Sequence, residues 1–301
     1  MEKVTFQGWE CIRLTTPHLE VIATVSVGPR IVSLSLPNKS NVLAELPELV
    51  EPTALGDYNF RGGHRLWHAP EQMPRTYAPD DDPVSVTESM EGVEFIQAVE
   101  EHTGIQKKLA IRLDIDSPKL TVDHVLTNEG NLPTVLAPWA ITMLPLGGTA
   151  VLPVSAASNN DLQPNQHLAI WPYSRLNDPR LHFVDSSLVV QGRAGDRCKL
   201  GFSNRAGWIA YWQPGTIFVK HTEFQPDRAY PDLNSSSEFF VNERFLELET
   251  LGPLEELQPG QSITHQERWL LLEGPPKLSV DEVSISRLSA QIERELSRKS
   301  G

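Results

Sequence analysis

Apolar and polar residues alternate along most of this chain, as they do in half-buried β-strands. Residues 19–36 alternate on both sides of a Gly-Pro-Arg turn and predict two strands joined there. Similar runs predict strands at VSVTESMEGVEFIQAVEE, KKLAIRLDID, KLTVDHVLTNEG, SLVVQGR, KLGFSN, GWIAYWQPG, TIFVKHTEF, RFLELETL and ITHQERWLLLEG. Nearly every run ends in Gly, Pro, Asn or Asp, which are the residues that turns require.

One segment near the end of the chain has a different period. Residues 279–298 predict a helix on the outside of the strands, because Ser279 and Glu282 have the spacing of a capping box. The apolar residues of this segment recur at roughly helical intervals. They are Val283, Leu288, Ile292 and Leu296.

The spacing of the turns predicts one large antiparallel β-sandwich. The 24 prolines and 19 glycines are spread along all 301 residues, so no linker divides the chain and a single domain over 1–301 is expected. There is no repeat of fixed period, which argues against a propeller or a solenoid. Two long connections, 37–83 and 153–182, are expected to lie over one sheet and to carry functional residues.

Charge and cysteine content exclude several classes of function. A net charge of −13 disfavours nucleic acid and anionic lipid as partners. No apolar stretch is long enough to span a bilayer and the N-terminal residues lack a signal-peptide pattern, so a cytoplasmic protein is expected. Cys11 and Cys198 lie far apart in the sequence and predict neither a disulfide framework nor a thiolate zinc site.

A pair of glutamates is the first candidate for chemistry. In FLELETLGPL the strand period places Leu246 and Leu248 on one face and Glu247 and Glu249 on the other. Two carboxylates on one face can act as acid, base or hydroxyl acceptor. The alternative is a solvated sheet face or an ion pair with a neighbouring arginine. Phe245 and the apolar residues around it favour a lined cleft.

The strand TIFVKHTEF contains a candidate cation. Its alternation places Phe218, Lys220 and Thr222 on one face, so Lys220 is expected opposite the two glutamates. His221 is expected on the other face unless a bulge intervenes.

The most crowded segment of the chain is YNFRGGHRLWHAPE, residues 58–71. His64 and His68 are four residues apart, which on a helix would suit a metal ion. The preceding glycines and the following proline disfavour a regular helix, and the spacing suggests no acidic third ligand, so no metal is expected. Trp67 offers a flat apolar face and Arg65 a fork of donors, which suit a sugar ring. Alternatively, Trp67 fills core and Arg65 pairs with a carboxylate.

Several segments, taken in order, resemble a family of uncharacterised galactose mutarotase-like proteins. The segments are VSVGPRIVSLSLPNKSNVLAE, RGGHRLWHAPE, APWAITMLPLGG, LAIWPYSRLNDPR, KLGFSNRAGWIAYW, FVKHTEFQPDRAYPD and RFLELETLGPLEELQPGQSITHQERWLL. The resemblance covers residues 10–272 and rests on the order of the segments. It implies the all-β galactose mutarotase-like supersandwich, a large antiparallel sandwich here followed by the C-terminal helix. It also implies carbohydrate binding, more firmly than any one reaction.

The resemblance implies roles for individual residues. In aldose 1-epimerases a late-strand glutamate takes the proton of the anomeric hydroxyl and a histidine protonates the ring oxygen. The LET tripeptide matches the segment that holds this glutamate and assigns the base to Glu249, with Glu247 holding a hydroxyl. The epimerase histidine of a central strand is missing, since Trp139 stands in that neighbourhood. His64 and His68 are therefore the candidate acids.

Two alternatives keep the cleft without the reaction. One is a protein that only binds or senses a sugar or sugar acid. The residues expected to line its cleft are Arg65, Trp67, Trp139, Trp171, Tyr173, Arg175, Arg180 and Lys220. The segment WPYSRLNDPR has the alternative interpretation of a loop held by Arg–Asp pairs. The other is an anionic ligand, such as a phosphate or a uronate, bound by Arg61, Arg65 and Lys220. No P-loop or dinucleotide fingerprint is present, so no cofactor is expected.

Overall fold

The computed structural model describes residues 1–90, 92–154, 165–184 and 187–298, which form two large antiparallel sheets and a small hairpin. The strands of the first sheet, in spatial order, are β1 (Glu2–Phe6), β2 (Trp9–Thr15), β3 (Glu20–Thr24), β4 (Arg30–Ser35), β7 (His64–Ala69), β12 (Thr134–Pro145), β21 (Phe245–Leu251), β20 (Ser237–Val241), β17 (Cys198–Phe202) and β14 (Ala169–Ile170), with β22 (Glu255–Leu257) paired to β12.

The second sheet contains the strands β15 (Leu181–Val184), β16 (Ser187–Gln191), β13 (Thr149–Pro153), β18 (Trp208–Gln213), β19 (Thr216–His221), β23 (Ser262–Glu273), β11 (Lys119–Asn128), β10 (Ile105–Leu113), β9 (Gly92–Ile96) and β8 (Ser85–Ser89). The hairpin pairs β5 (Glu45–Thr53) with β6 (Gly56–Gly62). The helical elements are a 3₁₀ turn (Arg75–Tyr77), a short turn α1 (Pro231–Asn234) and the helix α2 (Glu282–Ser297).

The two sheets pack face to face around the main core. Leu66 and Leu248 of the first sheet belong to the same buried cluster as Val122 and Phe218 of the second. Burying each such side chain contributes about 1.5–3 kcal/mol, so these contacts hold the two sheets together. The predicted all-β sandwich with a C-terminal helix is confirmed.

Helix α2 covers the other face of the second sheet. Ile285, Leu288 and Ile292 pack there against Trp208 and Val219. The predicted start of the helix was wrong.

The N-cap of α2 is Asp281, whose side chain accepts a hydrogen bond of 2.9 Å from the Ser284 N–H. Ser279 therefore lies before the cap. Val283, expected on the packed face, is 61% exposed.

The connection over residues 37–83 is not simply a long segment laid over one sheet, as the sequence predicted. It contains the hairpin β5–β6 and also β7, a central strand of the first sheet rather than a loop laid over it. Every residue of β7 is buried, because Leu66 packs in the core between the sheets and Trp67 packs on the other face with Phe60 and Tyr77. A strand buried on both faces has no polar–apolar alternation to reveal it.

The connection over residues 153–182 was also expected to lie over one sheet. Residues 155–164 lie outside the described residues, and the remainder includes β14 and the start of β15. In the described part of the chain, no helix has the length and apolar character needed to cross a membrane.

Candidate functional site

A cleft of about 440 Å3 opens on the face of the first sheet that points away from the core. We call it the outer cleft. Strand β7 contributes Arg65 and Trp67 to it, while Leu66 between them points into the core. The same alternation applies to the neighbouring strands. The other lining residues are Leu49, Glu51, Phe60, Glu71, Tyr77, Trp139, Ile141, Trp171, Tyr173, Arg197, Lys199, Phe240, Asn242, Glu243, Arg244, Phe245 and Glu247.

Strand register brings the polar and aromatic groups together. Ile141 of β12 lies between Arg65 of β7 and Glu249 of β21. One strand period away, Trp139 lies directly opposite Trp67. These groups are distant in sequence and become neighbours only because β7, β12 and β21 are adjacent in the sheet.

Aromatic rings form much of the wall of the outer cleft. The ring centroids of Trp67 and Trp139 are 5.5 Å apart, and those of Trp67 and Tyr77 are 4.6 Å apart. The hydroxyl of Tyr58 accepts a hydrogen bond of 2.7 Å from the Trp67 indole N–H. Packing and this hydrogen bond hold the buried indole in one orientation.

Arg65 and Glu247 form an ion pair in the outer cleft. The Arg65 Nη2 to Glu247 Oε1 distance is 3.0 Å, and the guanidinium carbon lies 4.2 Å from the Trp67 ring centroid. Burial, followed by the neighbouring charge of Glu249, raises the pKa of the Glu247 carboxyl, although Arg65 opposes this. Arg65 thus has the carboxylate partner that the sequence left as an alternative.

Glu249 lies in the floor and is fully buried. Its Oε2 accepts hydrogen bonds of 2.7 Å from the Trp139 indole N–H and 2.8 Å from Lys199 Nζ. Lys199 also pairs with Glu238 at 2.8 Å. Burial alone would lower the pKa of Lys199, but its two carboxylate partners raise that pKa well above the ordinary value. Lys199 is therefore a fixed cation in the floor.

Lys199 and Glu238 were missed by the sequence analysis. The strand KLGFSN was predicted, and its alternation places Lys199 opposite in direction to Leu200. That signal was available but could not indicate which face would be lined by carboxylates. Glu238 lies beside Glu249 only through the pairing of β20 with β21.

The two candidate acids lie on the other side of the sheet. His64 Nδ1 is 2.9 Å from the hydroxyl of Thr142, and its Nε2 is 2.7 Å from Nε2 of His124 in the second sheet. His68 is also fully buried, with its Nε2 3.6 Å from Glu100. Both histidines alternate with Arg65 and Trp67 along β7, so the sheet separates them from the outer cleft and from Glu249.

Hydrogen bonding assigns the tautomers of the buried histidines. His124 Nδ1 lies 3.0 Å from the His265 carbonyl oxygen, which can only accept. When His124 is neutral, its Nε2 is therefore a lone pair and His64 Nε2 is the donor between them. Burial lowers the pKa of both histidines, which favours these neutral forms.

Lys220 is also inside the sandwich, which corrects its expected position opposite the two glutamates. Its Nζ lies 2.9 Å from Glu267 Oε1 and donates to the carbonyl oxygens of Ala140 (3.0 Å) and Leu248 (3.2 Å). The alternation predicted for β19 is correct, but the face with Phe218 and Lys220 points into the core. Lys199 provides the cation beside Glu249 instead.

One group of buried residues has the donor types of a metal site. The ligand atoms of His64, His124 and Glu267 lie within 4.8 Å of one another. A cation there would have to break the His64–His124 hydrogen bond and compete with Lys220 for Glu267. We call these three residues with Lys220 the inner cluster.

The remaining predicted contacts are divided between other places. Arg61 pairs with Asp80 at 2.8 Å and with Asp81, outside the lining of the outer cleft. Trp171 and Tyr173 line the outer cleft, whereas Arg175 lines a neighbouring pocket.

Arg180 supports the loop interpretation of WPYSRLNDPR. It forms the expected pair with Asp178, at 2.6 Å. The structure thus assembles Arg65, Trp67, Trp139, Trp171, Tyr173 and Glu247 around one cleft, with Glu249 in its floor.

Comparison with known proteins identifies the fold. Neither a protein-family model nor a curated protein matches the sequence. Among solved structures, a TPR-domain containing protein from Parabacteroides distasonis is similar with a TM-score of 0.63 and 16% identity, over 92% of this chain and 48% of that chain. The chain therefore spans about half the length of that protein.

Two further structures match over most of both chains. A putative aldose 1-epimerase from Klebsiella pneumoniae has a TM-score of 0.58 and 11% identity, over 95% of this chain and 84% of that chain. A galactose mutarotase-like protein from Lactobacillus casei has a TM-score of 0.55 and 12% identity, over 87% of this chain and 100% of that chain. The galactose mutarotase-like fold implied by the sequence resemblance is confirmed.

Proposed function

We propose that the outer cleft binds a carbohydrate. The observation that carries the proposal is the combination, in one cleft, of the half-buried indole of Trp171 with buried, ion-paired hydrogen-bonding groups. Sugar rings have apolar C–H faces that pack on indoles, and hydroxyls that need donors and acceptors in fixed positions. A volume of about 440 Å3 lies within the range of roughly 300–1,000 Å3 typical of small-ligand sites.

Unused hydrogen-bonding groups support a polar, hydroxyl-rich ligand. Arg65 Nε and Nη1 and Glu249 Oε1 are buried without a hydrogen-bond partner among the described residues. Buried polar atoms of this kind are rare and usually have a water or a ligand as partner. A sugar hydroxyl can accept from arginine and donate to a carboxylate, so it could satisfy both groups.

The charge of the floor favours an uncharged ring. Arg65 is paired with Glu247, and Lys199 is paired with Glu238 and Glu249. Neither cation is free to neutralise an anion, and neither carboxylate near the ring is free to neutralise an ammonium group. The anionic ligand considered from the sequence depended on Arg61 and Lys220, which lie elsewhere.

An aldose 1-epimerase is the second candidate. Ring opening needs a base for the anomeric hydroxyl and an acid for the ring oxygen. Glu249 is the proposed base, and the raised pKa of Glu247 on the same strand face makes it a candidate acid in place of His64 or His68. Two carboxyls with different environments can divide the acid and base roles.

Binding is tested by titrating the protein with glucose and galactose and following tryptophan fluorescence and heat. Trp171→Ala should weaken the affinity about tenfold, which corresponds to about 1.4 kcal/mol of lost stacking. Trp9→Ala is the matched control, because Trp9 is half-buried like Trp171 but lies in β2 and lines no part of the cleft. Absence of saturable binding by glucose, galactose, glucose 6-phosphate and glucuronate would contradict the proposal.

The same sugars separate binding from catalysis. Freshly dissolved α-anomers should reach anomeric equilibrium faster with an active epimerase, as measured by polarimetry or NMR. Glu249→Gln should abolish this acceleration and Glu247→Gln should reduce it. Saturable binding with no change in the mutarotation rate would eliminate the epimerase candidate and retain the binding protein.

A further inference from the structure

A second pocket adjoins the outer cleft. Its volume is about 560 Å3, and it shares Tyr173 and Arg197 with the cleft. Its other walls come from two loops, residues 175–180 and 193–196. We call it the arginine pocket, because four of the residues that line it are arginines and only two are aspartates.

One of these arginines builds the pocket. Arg180 is 3% exposed, and its Nε and Nη2 donate to the two carboxylate oxygens of Asp178 at 2.9 and 2.6 Å. Its remaining donors reach the carbonyl oxygens of Arg193, at 3.2 Å, and Asp196. Arg180 therefore ties the two loops together, and its charge is neutralised by Asp178.

The other three arginines face the pocket without such a partner. Arg175, Arg193 and Arg197 form no ion pair with any carboxylate of the described residues. Arg193 Nη2 donates to the Pro179 carbonyl oxygen at 3.0 Å, and the Arg197 guanidinium carbon lies 5.0 Å from the Tyr173 ring centroid. These contacts orient both guanidinium groups but pair neither with a carboxylate, although Asp196 lines the same pocket and Asp178 interacts electrostatically with Arg193.

This local excess of positive charge stands out in a chain with a net charge of −13. In the outer cleft, Arg65 and Lys199 are each paired with carboxylates, so the two adjoining pockets differ in electrostatic character. Several guanidinium groups around one cavity suit the oxygens of phosphate or carboxylate, which they can bind in a bidentate manner.

We propose that the arginine pocket binds an anionic substituent, a phosphate or a carboxylate, carried by the sugar whose ring occupies the outer cleft. The proposal rests on the proposed function for its sugar portion and on Arg175, Arg193 and Arg197 for its anionic portion. Tyr173 and Arg197, which line both pockets, mark where the ring meets the substituent.

Inorganic phosphate tests the arginine pocket separately from the cleft. Calorimetric titration at constant ionic strength should show saturable binding that the double variant Arg175→Gln/Arg193→Gln abolishes. Trp171→Ala should leave phosphate binding unchanged. Arg287→Gln/Arg294→Gln, at two exposed positions of α2, is the matched control for removal of two positive charges.

Charged and neutral sugars then test the connection between the two pockets. Glucose 6-phosphate or glucuronate should bind at least about tenfold more tightly than glucose, since charged hydrogen bonds are the stronger ones. The double variant should remove this advantage and leave glucose affinity unchanged. The advantage should also shrink as salt is raised. The relative affinities of the phosphate and the carboxylate identify the substituent.

The outcomes separate this inference from the proposed function. Saturable glucose binding with no preference for charged sugars and no phosphate binding would overturn the inference alone. Phosphate binding without binding of any sugar would support the anion site and overturn the sugar portion. No binding of either probe would overturn both.

Discussion

The two faces of strand β7 carry two different kinds of polar site. On the outer face, Arg65 contributes to a cleft with unpartnered buried polar atoms. On the inner face, His64 belongs to the inner cluster, where His124, Lys220 and Glu267 all have hydrogen-bond or ion-pair partners. Adjacent residues thus belong to two sites, of which only the cleft has buried polar atoms left without hydrogen-bond partners among the described residues.

The difference separates a binding site from a structural one. Lys220 uses its three donors on Glu267 and on two strand carbonyls, so an added ligand could gain nothing there without breaking these bonds. Those carbonyls belong to Ala140 and Leu248, in the strands that carry Trp139 and Glu249. The inner cluster is therefore hydrogen-bonded to the strands that carry the cleft residues. The outer cleft, in contrast, leaves donors and acceptors for a ligand.

Removing Lys220 should produce the largest effect. Lys220→Met leaves Glu267 buried without its cation, and breaking a buried ion pair in this way costs about 3–5 kcal/mol. Urea unfolding should show this loss of free energy. The double variant Lys220→Met/Glu267→Gln should recover part of it, and a single variant as stable as the parent protein would show that the inner cluster is not structural.

Substitutions at two adjacent residues should separate the two faces. Arg65→Lys keeps a positive charge beside Glu247 but loses the planar fork over Trp67, so sugar affinity should fall about tenfold. His64→Gln should instead lower the free energy of unfolding by about 1–3 kcal/mol, because it disturbs buried hydrogen bonds. Calorimetry and urea unfolding measure the two effects. Equal loss of affinity in both variants would contradict the separation.

Acidification should lower the free energy of unfolding through the buried His265. Burial lowers the pKa of His265 to about 3, so between pH 6.5 and 3 the unfolded state binds the proton and the folded state does not. The free energy of unfolding should fall by about 1.4 kcal/mol per pH unit for this histidine as pH drops through that window. Glu267, with a pKa lowered to about 2, adds a further loss as pH falls below 4.5.

The contribution of Glu247, on the outer face, should change with pH in the opposite direction. The raised pKa of Glu247 means that its contribution to stability is complete below pH 4.5 and is lost as pH rises through the folded-state pKa. For His265, on the inner side, urea unfolding from pH 6.5 to 5 should give a shallower acid slope in His265→Gln than in the parent protein, because glutamine does not titrate. His18→Gln, at an exposed histidine, is the control for removal of one imidazole. Parallel curves for His265→Gln would refute the assignment.

Strand periodicity predicted the parts of the site that depend on one strand. The alternation of β21 was sufficient to place Glu247 and Glu249 on one face and Leu246 and Leu248 on the other, as the structure has them. The alternation of β19 likewise grouped Lys220 with Phe218. In both strands, local geometry sets which residues point the same way.

The sequence by itself determined an all-β sandwich, its alternating strands and the C-terminal helix, because these follow from local period and turn residues. Only the tertiary structure decided that Lys199 rather than Lys220 stands beside Glu249, and that His64 faces the core while Arg65 faces the cleft. Which face of a strand meets the second sheet depends on strands distant in sequence. That choice requires the assembled sheets, since a pattern of period two is the same whichever face is buried.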